Sequence, residues 1–116
     1  MAEFILSTAS ASEVAVDLLV LPVFEGPEPG PGVRDVREID LMGAYAAAKH
    51  TGKRGEILRV PGLGKVGATT VLLVGLGPRG KTTTDTLRRA IGRVAPQLAK
   101  HETAATTLPQ AVGRSA

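Results

Sequence analysis

The sequence has no cysteine and no tryptophan, and only two phenylalanines and one tyrosine among its 116 residues. The lack of cysteine excludes disulfide bonds, thiolate catalysis and cysteine-ligated zinc. With aromatic residues at 3% of the chain, a surface that stacks nucleic-acid bases on aromatic rings is not expected. The chemistry that remains open must come from aliphatic, hydroxyl and charged side chains and from the backbone.

Long apolar runs and a large excess of one charge are also absent. No stretch approaches the ~20 apolar residues that a membrane-spanning helix needs, and the amino terminus lacks the basic-then-apolar pattern of a secretory signal. We therefore expect a cytoplasmic protein without a membrane partner. The 14 basic residues exceed the 11 acidic ones only slightly, which favours a mixed solvated surface and leaves nucleic acid as a less favoured partner.

Two continuous apolar runs, residues 18–21 and 71–74, predict strands that are buried on both faces, the second of them within a strand over residues 69–74. We expect these strands to be adjacent or near-adjacent in the centre of a sheet. Pro22 has no N–H to donate, so the first of them should bend or end near it. Shorter strands are predicted at residues 4–6, at an edge, at 56–60 and at 103–108.

Helical spacing of apolar residues predicts two helices between these strands. The first covers residues 35–50, with Asp35 as its amino-terminal cap and Gly52 as its carboxyl-terminal cap. The second follows the capping threonines 82–84, and Pro96 should kink or shorten it. The expected apolar positions are Val36, Ile39, Gly43 and Ala46 in the first helix and Leu87, Ile91, Val94 and Leu98 in the second.

The alternation of strands and helices indicates an α/β domain with a mixed or largely parallel sheet and helices on both faces. We assign residues 1–108 to this domain. Residues 109–116 show no pattern, and we expect a disordered tail or the start of a linker.

The segment from residue 75 to 82 matches two phosphate-binding patterns, G-x-G-x-x-G and the P-loop G-x-x-x-x-G-K-[ST]. Neither acid that follows the segment ends an apolar strand, so the magnesium ligand of a P-loop enzyme and the ribose ligand of a dinucleotide site are both lacking. We therefore predict a tight glycine-rich turn without useful ATP affinity. Its backbone could still bind a small anion through Gly75, Gly77, Gly80 and Lys81.

The remaining groups of polar residues give only weak evidence for a functional site. His50 and His101 each stand beside a lysine near a predicted helix end, which favours helix stabilisation over metal ligation. Arg89, Arg93 and Lys100 share one helix face, which could contact phosphates but is more often a solvated surface. We find no close carboxylate pair and no Ser/His/Asp grouping, so we predict no catalytic residue, no metal ligand and no cofactor in this chain.

Four segments in order carry a family resemblance. Residues 17–26 read Asp-Leu-Leu-Val-Leu-Pro-Val-Phe-Glu-Gly, residues 52–56 Gly-Lys-Arg-Gly-Glu, residues 71–77 Val-Leu-Leu-Val-Gly-Leu-Gly and residues 87–92 Leu-Arg-Arg-Ala-Ile-Gly. In this order and spacing they resemble the amino-terminal domain of the leucyl aminopeptidases, or cytosol aminopeptidases, over residues 4–108. The resemblance implies a three-layer, macrodomain-like fold in which a mixed, mostly parallel sheet is flanked by helices.

The same resemblance implies a parent enzyme that removes amino-terminal residues, leucine preferred, from peptides. Its catalytic domain would hold two divalent metal ions, zinc or manganese, through ligands that include a run Asn-Thr-Asp-Ala-Glu-Gly-Arg, which does not occur in this chain. The implied partners are that catalytic domain and the sister subunits of a homo-hexamer, and the implied role is assembly or control of active-site access. Two alternatives stay open: a free-standing module that binds a phosphate-containing nucleotide, and a basic nucleic-acid-binding domain, which has precedent among bacterial relatives.

Overall fold

A computed structural model describes residues 3–5, 16–34, 36–98 and 103–106. These residues form six strands, two α-helices and one short 3-10 helix. In chain order the elements are β1 (Glu3–Ile5), β2 (Leu18–Phe24), β3 (Glu28–Pro29), α1 (Leu41–Ala47), β4 (Ile57–Pro61), β5 (Thr70–Gly75), the 3-10 helix (Arg79–Lys81), α2 (Thr84–Leu98) and β6 (Thr103–Thr106).

The strands form one sheet in the order β1-β6-β2-β5-β4, with the short β3 paired to the end of β2. Strands β1, β6, β2 and β5 run parallel, whereas β4 is antiparallel to β5. The predicted central pair is confirmed, since β2 lies beside β5 with Leu19 opposite Val71. The sheet is therefore mixed and mostly parallel, as the sequence predicts.

The helices cover opposite faces of the sheet, which makes three layers. Successive strand residues point to opposite faces, so neighbouring side chains of β2 and β5 enter different core clusters. Leu19 packs in the cluster that contains Tyr45 of α1, and Leu72 packs in the cluster that contains Val94 of α2. All four of these side chains are at most 1% exposed, which explains why the two strands are apolar without interruption.

Pro22 lies inside β2, and the strand ends two residues later at Phe24, near the proline as predicted. The carbonyl of Val23 accepts from Leu76 on the β5 side, so the backbone of Pro22 faces the other side. There the register with β6 ends at Val20, and the carbonyl of Pro22 accepts instead from the N–H of Gly30. On this side Pro22 is joined to Gly30 through its carbonyl alone, and the carbonyl of Gly30 accepts from the N–H of Val33 instead.

Helix α1 is shorter than predicted and begins at Leu41 rather than near residue 35. Asp40 caps it, since its side chain accepts from the N–H of Gly43 at 2.9 Å. Val36 precedes the helix, donates to the carbonyl of Val33 in a turn and is buried in the core. The predicted cap, Asp35, lies outside the described residues.

The buried face of α1 also differs from the predicted one. Leu41 and Tyr45 are buried, whereas Gly43 and Ala46 are exposed. The helix ends at Ala47, and the left-handed position that glycine usually occupies after a helix is taken by Lys49, with φ 64°. Gly52 is therefore not the cap of this helix.

Helix α2 begins where the sequence predicts, after a threonine cap. The backbone N–H of Thr86 donates to the hydroxyl of Thr83, and the N–H of Thr83 donates to the hydroxyl of Thr86. Pro96 lies in the last turn of α2. The helix continues past it to Leu98, so the proline does not end the helix. The predicted core position Ile91 is wrong, since its side chain is 36% exposed while Ala90 beside it is buried.

Several predictions fall on residues that the structure does not describe. These are the first strand's Leu6, the end of the last strand at residues 107–108, the basic residue Lys100, the histidine His101 and the tail 109–116. Within the described ranges, no helix is long and apolar enough to cross a membrane.

Candidate functional site

The carboxylate of Glu56 is the most densely hydrogen-bonded polar group among the described side chains. Its Oε1 atom accepts from the hydroxyl of Tyr45 at 2.7 Å and from the N–H of Gly52 at 2.8 Å. The N–H groups of Thr51 and Lys53 donate to the same oxygen, each at 3.1 Å. Consecutive N–H groups that converge in this way form a concave anion site in the backbone, and here the protein's own carboxylate fills it.

The local sequence explains how this site forms. Gly52 has φ 92°, and a Cβ atom at that position would lie 2.1 Å from the carbonyl oxygen of Phe24. Only glycine allows the loop to approach β2 so closely, and that approach turns the N–H groups of residues 51–53 toward Glu56. The ring of His50 stacks edge-on against Tyr45 at 5.1 Å, and its Nδ1 atom lies 4.0 Å from Glu56 Oε2.

The electrostatics of the pair follow from burial and hydrogen bonding. Burial alone would raise the pKa of Glu56, but the hydrogen bonds from Tyr45, Gly52 and Thr51, with a smaller effect of His50, hold it below the ordinary value. Burial is also the largest cause at Tyr45 and, together with the hydrogen bond to Glu56, raises the pKa of that hydroxyl far above its usual range. Glu56 is thus an ionised acceptor and Tyr45 a neutral donor at neutral pH.

This arrangement suits a structural role rather than catalysis. A general acid or base needs a proton affinity close to the working pH, and both groups are shifted away from neutrality. Within residues 16–34, 36–98 and 103–106 no three His, Asp or Glu side chains are grouped to hold a metal ion. We therefore call Tyr45, Glu56 and the backbone of residues 51–53 the carboxylate latch.

The crevice where sheets of this type usually bind ligands is closed by backbone contacts. After β2 the chain crosses to α1 on one face, and after β5 it crosses to α2 on the other, so the carboxyl ends of β2 and β5 mark the topological switch point. There the N–H of Glu25 donates to Gly77, the N–H of Gly26 to Thr51, and the N–H of Gly77 to Gly52, at 2.8–2.9 Å. The three loops are therefore joined to one another at this end of the sheet.

The four residues of the predicted anion-binding turn do not form one cradle. The N–H of Gly75 donates to Glu56, that of Gly77 to Gly52 and that of Lys81 to Pro78. Lys81 and Gly80 lie in the exposed 3-10 helix, and Gly75 is the buried end of β5. Of these residues, Gly75 alone lines the cleft described next, and anion binding by the turn itself stays a prediction.

A cleft of about 90 Å³ opens between α2, the end of β5 and the loop before β4. Three arginines line it, Arg54 from the loop and Arg89 and Arg93 from α2, together with the carboxylate of Asp85. The sequence placed Arg89 and Arg93 on one helix face, but it gave no indication that Arg54 would join them. Only the return of the chain from α1 to β4 brings the loop arginine to this helix.

Two of the ionic side chains in the cleft are held by nearby groups. Arg54 donates from Nε to the carbonyl of Leu76 at 3.4 Å and from Nη2 to that of Lys81 at 3.3 Å. Asp85 accepts from Arg89 at 2.9 Å and lies 3.9 Å from Arg88. The cleft therefore has a fixed guanidinium on one wall and a carboxylate that is already paired on the other.

Comparison with known proteins identifies relatives for most of the chain. Residues 20–115 match a family model described as the N-terminal domain of the cytosol aminopeptidase family. Three curated relatives are each named "Probable cytosol aminopeptidase". They come from Corynebacterium diphtheriae (37% identical over 80% of this chain), Rhodococcus erythropolis (31% over 79%) and Streptomyces griseus (33% over 96%).

The matched part is a small share of each relative. The alignment covers 20% of the Corynebacterium protein, 19% of the Rhodococcus protein and 24% of the Streptomyces protein. The chain thus spans about a fifth to a quarter of the length of the relatives that it matches.

Proposed function

Since the chain belongs to the cytosol aminopeptidase family and carries its N-terminal domain, we propose that it acts as a non-catalytic part of a longer cytoplasmic aminopeptidase. In this proposal the remaining polypeptide holds two divalent metal ions and removes amino-terminal residues, leucine preferred, from peptides. The present domain serves the assembly of a hexamer or restricts access to its active sites. The observation that carries the proposal is the match of residues 20–115 to the N-terminal domain of the family. The relatives that the chain matches are four to five times longer than the chain itself.

The ionisable side chains of this domain support the non-catalytic assignment. Two-metal hydrolysis needs carboxylates that converge on ions ~3.5–4 Å apart, and the described residues contain no such group. The carboxylate of Glu56 accepts its hydrogen bonds from the latch. These residues do not fit a metal pair, so we derive no step of the hydrolysis from them.

The reading frame downstream of codon 116 gives the first test. We expect it to continue into a domain with Asp, Glu and Lys metal ligands and a run of the type Asn-Thr-Asp-Ala-Glu-Gly-Arg. A stop codon directly after Ala116 would contradict the proposal. The 116-residue chain should not hydrolyse leucine p-nitroanilide with added manganese, and turnover that survives repurification and disappears with chelator would show that the domain itself is catalytic.

The role of the domain is tested in the full-length protein. We would compare the intact enzyme with a version that begins at residue 109, measuring molecular mass by light scattering and kcat/KM for a chromogenic amide and for a longer peptide. An assembly role predicts a smaller particle, and an access role predicts a changed ratio of the two rates at unchanged mass. If neither mass nor rate ratio changes, both proposed roles are wrong.

A further inference from the structure

The cleft between α2 and the loop before β4 has no place in the proposed aminopeptidase function. We propose that it is a binding site for one phosphate group, as inorganic phosphate or as a phosphate monoester. The residues that would bind it are Arg54 and Arg93, with Arg89 at the rim. The inference comes from charge, fixed geometry and size, which are independent of the proposed enzyme.

The charge balance of the cleft is positive. Three guanidinium groups and one carboxylate line it, and that carboxylate, Asp85, is neutralised by its pairs with Arg88 and Arg89. In the part of the chain that the structure describes, neither Arg54 nor Arg93 has a carboxylate oxygen within 4.0 Å. Two arginines without counter-ions on facing walls of one cleft would attract a dianion.

The backbone holds Arg54 in position, and Arg93 lies against the facing loop. The two carbonyl contacts of Arg54 use its Nε and one Nη2 hydrogen, which leaves the Nη1 hydrogens for a ligand. Arg93 reaches the opposite loop, where its guanidinium carbon would lie 3.1 Å from a Cβ atom placed on Gly55. A glycine at position 55 therefore lets the guanidinium lie against the backbone, and arginine is well suited to planar recognition of phosphate.

The size of the cleft selects among phosphate-containing ligands. Sites that enclose drug-sized molecules measure ~300–1,000 Å³, whereas this cleft measures about 90 Å³. A nucleotide base and ribose would have to lie outside it. The buried Thr86 and Ala90 form its inner wall, so the space suits a single tetrahedral oxyanion.

The test is a titration of the 116-residue chain followed by ¹H–¹⁵N NMR at constant ionic strength. Sodium phosphate, phenyl phosphate and sodium chloride are the three ligands. We expect saturable shifts for both phosphates, in the millimolar range or tighter, at the amides of Arg54, Gly55 and Thr86. Chloride should give none of them.

Variants decide whether the cleft is the site. Arg93→Gln should weaken phosphate binding about tenfold or more, since charge-assisted hydrogen bonds are the strong ones. Arg37→Gln removes the same charge at an exposed position outside the cleft and should bind like the parent, as should Lys81→Ala in the exposed turn. Arg54→Gln gives a second measurement, and if loss of its carbonyl contacts unfolds the chain, Arg93→Gln alone decides.

The relative affinities of inorganic phosphate and phenyl phosphate show which kind of ligand the cleft binds, and other outcomes would contradict the proposal. Tighter binding of inorganic phosphate supports a site for the free ion, whereas equal or tighter binding of phenyl phosphate supports the terminal phosphate of a larger molecule. Shifts that do not saturate, that chloride reproduces, or that are equal in Arg93→Gln and Arg37→Gln would overturn the proposal. None of these results depends on whether the full-length protein is an aminopeptidase.

Discussion

The hydroxyl of Tyr45 donates to Oε1 of Glu56 across 2.7 Å, and this bond joins helix α1 to the residue that leads into β4. Tyr45 is completely buried, so its hydroxyl needs a partner inside the protein. Glu56 also accepts hydrogen bonds from the N–H groups of the loop between α1 and β4. One carboxylate therefore satisfies a core hydroxyl and fixes the loop that closes the crevice at the carboxyl ends of β2 and β5.

Substitution of Glu56 should reduce stability substantially. Glu56→Gln keeps the shape but replaces a charged acceptor with a neutral amide, and hydrogen bonds to charged groups contribute ~1.5–3 kcal/mol each. We expect a loss of about 2–3 kcal/mol in the free energy of unfolding, measured by urea denaturation. Glu38→Gln, at an exposed residue, is the control. Equal losses in the two variants would show that the latch contributes no more to the free energy of unfolding than an exposed glutamate does.

The latch should also give the protein a specific acid sensitivity. The folded-state pKa of Glu56 lies below the ordinary value of 4.5, so its stabilising effect is fully present above pH 4.5 and is lost as the pH falls through the folded pKa. The stability difference between the parent and Glu56→Gln should therefore shrink in acid. Urea denaturation of both proteins at neutral and at acid pH measures it, and a difference that stays constant would mean that Glu56 does not titrate as described.

Tyr45 offers a direct spectroscopic test because it is the sole tyrosine of a chain without tryptophan. Burial and the Glu56 hydrogen bond raise its pKa, so its stabilising effect is present below the unfolded value of about 10 and is lost as the pH rises above it. We expect no tyrosinate absorbance at pH 10–11 while the protein remains folded by circular dichroism. Ionisation near the ordinary value in the folded protein would contradict the buried bond.

Two glycines with positive φ allow the cost of a left-handed backbone to be measured apart from the cost of a steric collision. A methyl group at Gly52 would meet the carbonyl oxygen of Phe24 at 2.1 Å, whereas one at Gly64 (φ 73°) would meet nothing within 4 Å. Gly64→Ala should cost only the ~1–2 kcal/mol of a left-handed residue, and Gly52→Ala should cost clearly more or prevent folding. Thermal unfolding of both variants measures the difference, and similar midpoints would show that the loop of residues 51–53 does not approach β2 as described.

Two apolar positions test the layered architecture. Val74 of β5 is completely buried, while Ile91 of α2 is 36% exposed. Val74→Asp should abolish folding, because an unpaired buried carboxylate costs several kcal/mol against a total stability of ~5–15 kcal/mol. Ile91→Asp should remain folded with a small loss. A soluble, cooperatively melting Val74→Asp protein would show that β5 is not covered on both faces.

The sequence alone determined the central strands, the cap of α2 and the family. Strands covered on both faces must be apolar without interruption, so β2 and β5 can be recognised in the sequence as runs of leucine and valine. Thr83 is recognisable because a helix start needs a side-chain acceptor. The sequence did not predict the latch: residues 52–56 contribute to the family resemblance and Glu56 to a predicted strand, but that stretch does not reveal which donors the carboxylate meets.

Tertiary structure decided what local patterns could not. Pro22 stays inside β2 because β6 ends before it, so that its missing N–H faces only the short segment at Gly30. Helix α1 starts at Leu41, where Asp40 caps it, and Val36 is buried in the core ahead of the helix. Arg54 and Arg93 are 39 positions apart in sequence and share a cleft only because the loop before β4 folds back beside α2. Propensity and periodicity act over a few residues, whereas each of these outcomes depends on which distant segment lies opposite.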